Sequence, residues 1–352
     1  IPVSILSLIM TYRFVEDPPY LAAEKEKSKK ASIDYIGLGL IALGVGTLQM
    51  VLDKGQELDW FGSHLITAGT VMAAAVLIFW IWWEWRHPHP IVELKLLKKR
   101  NFSAAMFSML VLGGVLYGTT VLLPEFMQNL MGYPAVLSGE ALAAGGFVMI
   151  LTMPTSGVLT GKMDPRKLMA IGFGVTAIGL YNMATHLSLG MDFMTVSLVR
   201  VYQVLGLAFI FIPSNVLCYT GIPIEQNNQV SSMMNFVRNI GGSVGIALVG
   251  TAVTRSTQVR RNFMAAHLRG GNPVFDQAIA GLAATLHGHG MSVTQATRAA
   301  YLQIGMLLEQ QAAAVAFKDV IAVLALVVTC LVPLAFIMVK PSAGQTRRPA
   351  AH

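Results

Sequence analysis

The sequence predicts an all-α integral membrane protein. Eight apolar runs, each long enough to cross a bilayer, follow one another along 352 residues of which only 12% are charged. Lys and Arg are gathered in alternate connections between those runs, the asymmetry that short cytoplasmic loops impose. Membrane-barrel strands would alternate apolar and polar residues over about ten positions, and these runs do not alternate.

A hydrocarbon core about 30 Å thick needs roughly 20 helical residues at about 1.5 Å each. Ile1 to Tyr12 covers only about 18 Å on that rise. The chain begins with Ile rather than Met, and no charged segment or small-residue cleavage site marks a removable signal. Residues 1–12 therefore read as the end of a crossing whose beginning is absent, and the chain as the C-terminal part of a longer protein. Residues 13–33 form a cytoplasmic loop carrying Arg13, Lys25, Lys27, Lys29 and Lys30.

Residues 34–83 hold two spans, Ile36 to Leu52 and Leu65 to Trp83. Trp80, Trp82, Trp83 and Trp85 fall where the second meets the cytoplasm, as an interfacial aromatic belt does. Residues 84–101 are a basic cytoplasmic loop with Arg86, Lys95, Lys98, Lys99 and Arg100. Residues 102–254 contain five spans: Phe102 to Leu123, Ala141 to Leu159, Leu168 to Thr185, Val196 to Tyr219 and Val230 to Val253. Lys162, Arg166 and Lys167 lie in a cytoplasmic turn among them. Residues 255–316 break the rhythm as a long extracytoplasmic segment, in which Phe275, Ile279, Leu282 and Leu286 recur at the spacing of an amphipathic helix. It could cap the outer mouth or dock a partner protein. Residues 317–339 carry the last span, Val320 to Val339, and residues 340–352 a cytoplasmic tail with Lys340, Arg347 and Arg348.

This topology accounts for the formal charge of +7, which would otherwise suggest nucleic acid. The basic residues are spread over loops on one side, without the stacking aromatics of a single-strand binder. Cys218 and Cys330 both lie within spans, so no disulfide framework is expected. His87 with His89, and His287 with His289, offer two imidazoles each but no carboxylate or thiolate partner, a poor metal site. No catalytic triad, phosphate loop or metal cluster stands out; neither an enzyme nor a cofactor is expected.

Chemistry must then lie in polar residues inside the spans. Arg200 sits with Gln203 near the outer edge of its span, and Asn215 lies further along; Arg200 either lines a cavity or snorkels to the surface. Asn235, Arg238, Asn239 and Gly242 follow i, i+3, i+4, i+7 spacing, a polar stripe that faces protein or water rather than lipid. The stripe serves either helix packing or a functional contact. Gly114 with Gly118, and Gly241 with Gly245, are small-xxx-small pairs that permit close helix approach. Asp34, Glu125, Glu140 and Asp319 fall near span ends, and Glu140 is either a proton carrier or a plain interfacial carboxylate.

Several stretches together resemble the fourteen-helix drug:proton antiporters of the major facilitator superfamily, in particular the multidrug resistance protein B (EmrB/QacA) branch. They are Leu48 to Trp60 (LQMVLDKGQELDW), Arg100-Asn101-Phe102, Gly132-Tyr133-Pro134 and Asn235 to Gly245 (NFVRNIGGSVG). The family's loop of the form GxxxD/GRxGR resembles Gly157, Gly161, Lys162, Asp164, Pro165, Arg166 and Lys167, with Lys162 for the commoner Arg and Asp-Pro for the usual Gly. The resemblance runs over essentially the whole chain. It implies the C-terminal six-helix half, two extra linking helices, and the end of a sixth helix at residues 1–12. It further implies proton-coupled export of hydrophobic or cationic compounds by alternating access in a bacterial inner membrane. Arg200, Gln203, Asn215, Asn235 and Arg238 are the cavity candidates in this half, and the Gly157–Lys167 segment is a gating hinge or a simple turn. Lipid, small hydrophobic substrates and protons are the expected partners, with a periplasmic adaptor and an outer-membrane channel beside them and no nucleic acid. Two alternatives stand: a dedicated exporter of one metabolite such as a fatty acid or antibiotic, and a non-transporting sensor or scaffold built from a half-transporter.

Overall fold

The computed structural model describes residues 2–14, 34–88, 90, 92–223, 226–266, 268 and 272–339, and every regular element among them is helical. In chain order the helices are α1 (Pro2–Phe14), α2 (Tyr35–Gly55), α3 (His64–Arg86), α4 (Arg100–Glu125), α5 (Ala135–Lys162), α6 (Pro165–His186), α7 (Phe193–Leu205) and α8 (Leu207–Cys218). There follow α9 (Asn227–Ala266), α10 (Pro273–Gly288), α11 (Val293–Cys330) and α12 (Val332–Ile337). Among the described residues eight helical spans are long and apolar enough to cross a membrane, with α7 and α8 forming one and α11 and α12 another.

The closest pairing is α4 against α9. Its cause is a row of residues without side chains. A Cβ on Gly113 would lie 2.1 Å from the Arg238 carbonyl oxygen, one on Gly241 2.0 Å from that of Leu110, and one on Gly245 2.3 Å from the Gly114 Cα. Gly118 lies one turn further along, against Val249 and Gly245, while Gly242 faces the Tyr117 ring. With lipid on the outside there is little hydrophobic gain in joining two spans, so backbone contact supplies the attraction through dispersion. From α9 the bundle continues through α11 to α6, and α6 holds α7 and α8. Gly206, in right-handed helical conformation between those two, allows their close approach to α6, where a side chain would strike Thr176 and the Gly172 carbonyl. Helix α5 closes the group against α7 and α8, with Ser156 Oγ donating to the Ala208 carbonyl at 2.9 Å.

Helices α2 and α3 pack on each other as a separate pair and meet the six-span unit chiefly through α9. Asp34 caps α2: it accepts from Gly37 N at 2.8 Å and from Trp83 Nε1 at 2.9 Å, with His87 Nδ1 3.7 Å away. Glu84 is 2% exposed, inside α3 rather than in the basic loop the sequence suggests. Trp80 Nε1 donates to it at 3.2 Å and Val92 N at 3.4 Å. Of the four tryptophans expected at the interface, Trp80 and Trp83 thus hold buried carboxylates, while Trp82 and Trp85 are exposed.

Residues 255–316, expected as a long extracytoplasmic segment, are largely helical. α9 has 40 residues, about 60 Å on the standard rise and twice the hydrocarbon thickness. Arg255, Arg260 and Arg261 end the apolar run, yet none is a helix breaker, so hydropathy marks the membrane boundary and not the helix end. The α11 helix begins at Val293 on a capping box between Ser292 and Gln295 and re-enters beside α9. Arg260 pairs with Asp319 at 2.7 Å and Arg261 with Glu309 at 3.5 Å across the two. The amphipathic α10 packs Phe275 and Ile279 on Ala300, forming a small second core. Lys25 to Lys30, His89, Arg269, Lys340, Arg347 and Arg348 lie outside the described residues.

Three outcomes follow for stability in detergent. Gly241→Val forces α4 and α9 apart and is expected to cost about 1–3 kcal/mol or more, read as a lowered apparent Tm. Gly146→Ala, with nothing within 4 Å of the new methyl, leaves Tm unchanged or slightly raised. For Asp34, burial raises the carboxyl's pKa, but the Gly37 N–H, the Trp83 indole and His87 together outweigh it and hold the group below its ordinary value of 3.8. Its stabilisation is therefore complete above that value and disappears as pH falls through the lower folded value. Asp34→Ala should cost about 1–3 kcal/mol at neutral pH, and the gap from the parent should shrink as the melt is repeated below pH 3.8.

Candidate functional site

Arg200 lies on α7, two turns from its Phe193 start, and is 4% exposed. A cation so placed in a span costs about 2.5–3.5 kcal/mol unless its donors are met. Three neutral oxygens meet them. Nη1 donates to Thr119 Oγ1 at 3.0 Å and Gln203 Oε1 at 2.6 Å, and Nη2 to Thr120 Oγ1 at 2.7 Å. Gln203 Nε2 also donates to Thr119 Oγ1 at 3.0 Å. Both threonine hydroxyls return their own protons to carbonyls of α4, at Val115 and Leu116. Nε is left without a partner among the described residues. It faces α5, where Gly145 leaves room for the arginine stem. The network joins α7 to α4 and buries a positive charge with no carboxylate beside it among the described residues.

A second polar group lies toward the other end of the bundle. Arg238 is 11 residues into α9, about 17 Å along the helix from Asn227. Nη2 donates to Asn235 Oδ1 at 2.8 Å, and the guanidinium stands 5.3 Å from the centre of the Phe211 ring on α8. That separation suits a cation on an aromatic face. Asn215, one turn from Phe211, donates to the Phe211 carbonyl at 2.8 Å. Ser231, Asn235 and Asn239 on α9 are exposed. Exposed asparagines in a span would be costly against lipid, so this face meets water or protein. Between their charged ends, α2, α3 and α5 expose mostly Leu, Ile, Val, Phe, Met and Trp, as lipid contact requires.

The structure thus places the five cavity candidates in two groups, Arg200 with Gln203 and Asn215 with Asn235 and Arg238. Glu140, near the start of α5, is exposed and forms neither a hydrogen bond nor an ion pair among the described residues. Gly157 and Gly161 have nothing within 4 Å of a built Cβ, and Lys162 and Lys167 are exposed. Asp164 and Arg166 do more: the guanidinium pairs with the carboxylate at 2.8 Å, and Nη1 donates to the Met338 carbonyl at 3.0 Å. The α5–α6 turn is thereby fastened to the end of α12. Asn101 fastens α4 to the same place, exchanging two hydrogen bonds with the Val339 backbone at 2.9 and 2.6 Å. His287 and His289 each bond a nearby carbonyl oxygen through Nδ1, at Met291 and Thr285. Thr119, Thr120 and Phe211 are absent from the sequence-based list. The adjacent threonines in an otherwise apolar span were the one signal for them.

Residues 1–246, from α1 through most of the intramembrane part of α9, match the Major Facilitator Superfamily. The chain belongs to that superfamily. The multidrug export protein EmrB of Escherichia coli (strain K12) is 31% identical over 297 residues, which are 84% of this chain and 56% of that protein. The probable multidrug resistance protein EmrY of the same organism is 33% identical over 258 residues, 73% of this chain and 50% of that protein. The fatty acid resistance protein FarB of Neisseria gonorrhoeae is 33% identical over 270 residues, 76% of this chain and 52% of that protein. These similarities put the chain on the EmrB branch of the superfamily. It spans about half the length of the curated relatives it matches.

Thr119→Val removes the acceptor shared by Arg200 and Gln203 and is expected to cost about 1–3 kcal/mol in a detergent melt. Combined with Arg200→Met it should cost less than the sum of the two single changes, because the orphaned donor is gone. Strict additivity would show that the hydrogen bonds carry no coupling.

Proposed function

We propose that this chain supplies the C-terminal six-helix half and two linking helices of a proton-coupled multidrug exporter in the bacterial inner membrane. The observation that carries the reading is the polar face of α9 and α8, with Asn235, Arg238, Asn239 and Asn215, beside spans α2, α3 and α5 that expose mostly apolar side chains between their charged ends. In the complete transporter that face lines the path between two six-helix halves, which open it alternately to either side of the membrane. Proton entry and drug exit are coupled because each ligand binds one of the two states better.

In this reading the Asn101 end of the bundle is cytoplasmic, as the Lys and Arg bias favours, and the C-terminus lies there too. The Asp164–Arg166 turn and the Asn101–Val339 contacts then close the half on its cytoplasmic side and move with it as a unit. Helices α9, α10 and α11 project outside, where a periplasmic adaptor and an outer-membrane channel would continue the route. Glu140 is the candidate proton carrier in this half. The name of FarB and its 33% identity favour a second reading, a dedicated exporter of an amphiphilic metabolite such as a fatty acid.

The test uses cells producing the full-length protein. Accumulation of a fluorescent hydrophobic dye should fall relative to cells without it, and an uncoupler should abolish the difference. Arg238→Ala and Asn235→Ala should each weaken extrusion at unchanged membrane abundance. Extrusion that ignores the proton gradient overturns proton coupling. Protection against fatty acids without protection against dyes selects the dedicated exporter.

A further inference from the structure

Helix α3 has two unlike faces near its end. Trp80 and Glu84 are buried, whereas Trp82, Trp85 and Arg86 are exposed. On the outer face Ala75, Ile78, Phe79 and Trp82 follow helical spacing and line a shallow apolar groove of about 420 Å³. The Phe79 and Trp82 rings stack with centres 5.5 Å apart and 23° between their planes, which gives the groove a stiff floor. The groove runs along a membrane span, so what fills it comes from the bilayer.

This apolar groove ends in positive charge. The Arg86 guanidinium stands over the Trp82 ring, 4.7 Å from its centre, and Lys98 Nζ over the Trp85 ring at 5.2 Å. Both separations suit a cation on an aromatic face. Trp82 and Trp85 are three residues apart on one helix, so the two platforms are neighbours. Lys98 is delivered there by the turn Leu94–Lys98, whose Leu94 and Leu96 are buried in the main core. Neither cation forms an ion pair or a side-chain hydrogen bond among the described residues. The carboxylates of this region are held elsewhere: Glu84 lies against Trp80 and Val92, and Glu93 accepts from Gln226 Nε2 at 2.8 Å. An aromatic ring beneath each cation fixes its place while leaving its N–H donors free for an acceptor.

Two positioned, unneutralised cations at the end of a lipid-facing groove select one ligand chemistry. A zwitterionic head would bring its own cation toward them, and a neutral lipid would leave them uncancelled. A phosphodiester with no cation of its own offers one negative charge and two free oxygens, which charged N–H donors bind well. We propose that this face of α3 binds an anionic phospholipid, with its phosphate between Arg86 and Lys98 and an acyl chain along the Phe79–Trp82 groove. The site requires only that α3 crosses the bilayer, in either orientation.

The probe is phosphatidylglycerol with brominated acyl chains, which quenches the fluorescence of tryptophans it touches. Four of the five tryptophans lie on α3, so the signal reports this site. The full purified chain is placed in phosphatidylcholine vesicles containing a small fraction of the brominated lipid, with brominated phosphatidylcholine as the reference. Relative affinity should favour phosphatidylglycerol by at least about tenfold. Arg86→Gln and Lys98→Gln should each lower that selectivity about fivefold, the value of one cation at an anionic surface, and the double variant should abolish it. Both positions are exposed, and a cooperative melt checks that each variant is folded. Lys162→Gln, which takes the same charge from the end of α5, should leave the selectivity unchanged. Inorganic phosphate at constant ionic strength should not compete, having no chain for the groove. Selectivity retained in the double variant overturns the proposal; so does an equal loss in Lys162→Gln, the mark of diffuse surface charge, or displacement by inorganic phosphate. Export is not measured, so a failed efflux test leaves this result standing, and loss of this site leaves the transport reading to its own test.

Discussion

The contact on which the rest of the bundle depends is the backbone meeting of α4 and α9. Where Gly113, Gly241 and Gly245 would place a Cβ, the partner backbone already stands within 2.0–2.3 Å, so only glycine allows it. Three consequences come from that approach. The Arg238 stripe of α9 is turned toward α8, where Phe211 receives the guanidinium. The far face of α4 presents Thr119 and Thr120 to α7, where Arg200 needs them. The pair also forms the stiff wall of a cleft beside α2. Each polar feature therefore has its position set by residues that carry no chemistry.

Both intramembrane arginines are held by neutral groups, Arg200 by two hydroxyls and an amide, Arg238 by an amide and an aromatic face. Such partners satisfy geometry without cancelling charge. A carboxylate in the same place would give a closed ion pair, costly to separate once buried. With neutral partners the charge is not cancelled, and the cost of holding it rests on packing elsewhere.

The number of spans, their order and the small-residue seam were legible in the sequence, because a bilayer forces about 20 apolar residues per crossing and close approach forces glycine at i and i+4. The Asn235–Arg238 pairing was legible for the same reason of helical spacing. Other features were not. Glu84 stands at the edge of a basic loop in one dimension, and only the fold shows Trp80 and Val92 closing on it. Thr119 and Thr120 are 80 or more residues from Arg200 and bear no charge to draw notice. The reach of α9 beyond the membrane was hidden because polarity ends a hydropathic run without ending a helix.

That last distinction bears on how the two ends of the bundle differ. At the Asn101 end the helices stop abruptly, and their connections are fastened by short bonds: Asn101 to Val339, Arg166 to Met338, and Lys99 Nζ to the Gly221 carbonyl at 2.8 Å. At the opposite end α9 and α11 continue together past their apolar runs, joined by Arg260–Asp319 and by the small core of α10. Exposed ion pairs and a core of three buried side chains are weak beside the glycine seam. Rigidity is therefore concentrated at one end and compliance at the other. A bundle built this way is held more tightly at its Asn101 end than where α9 and α11 run on past their apolar stretches.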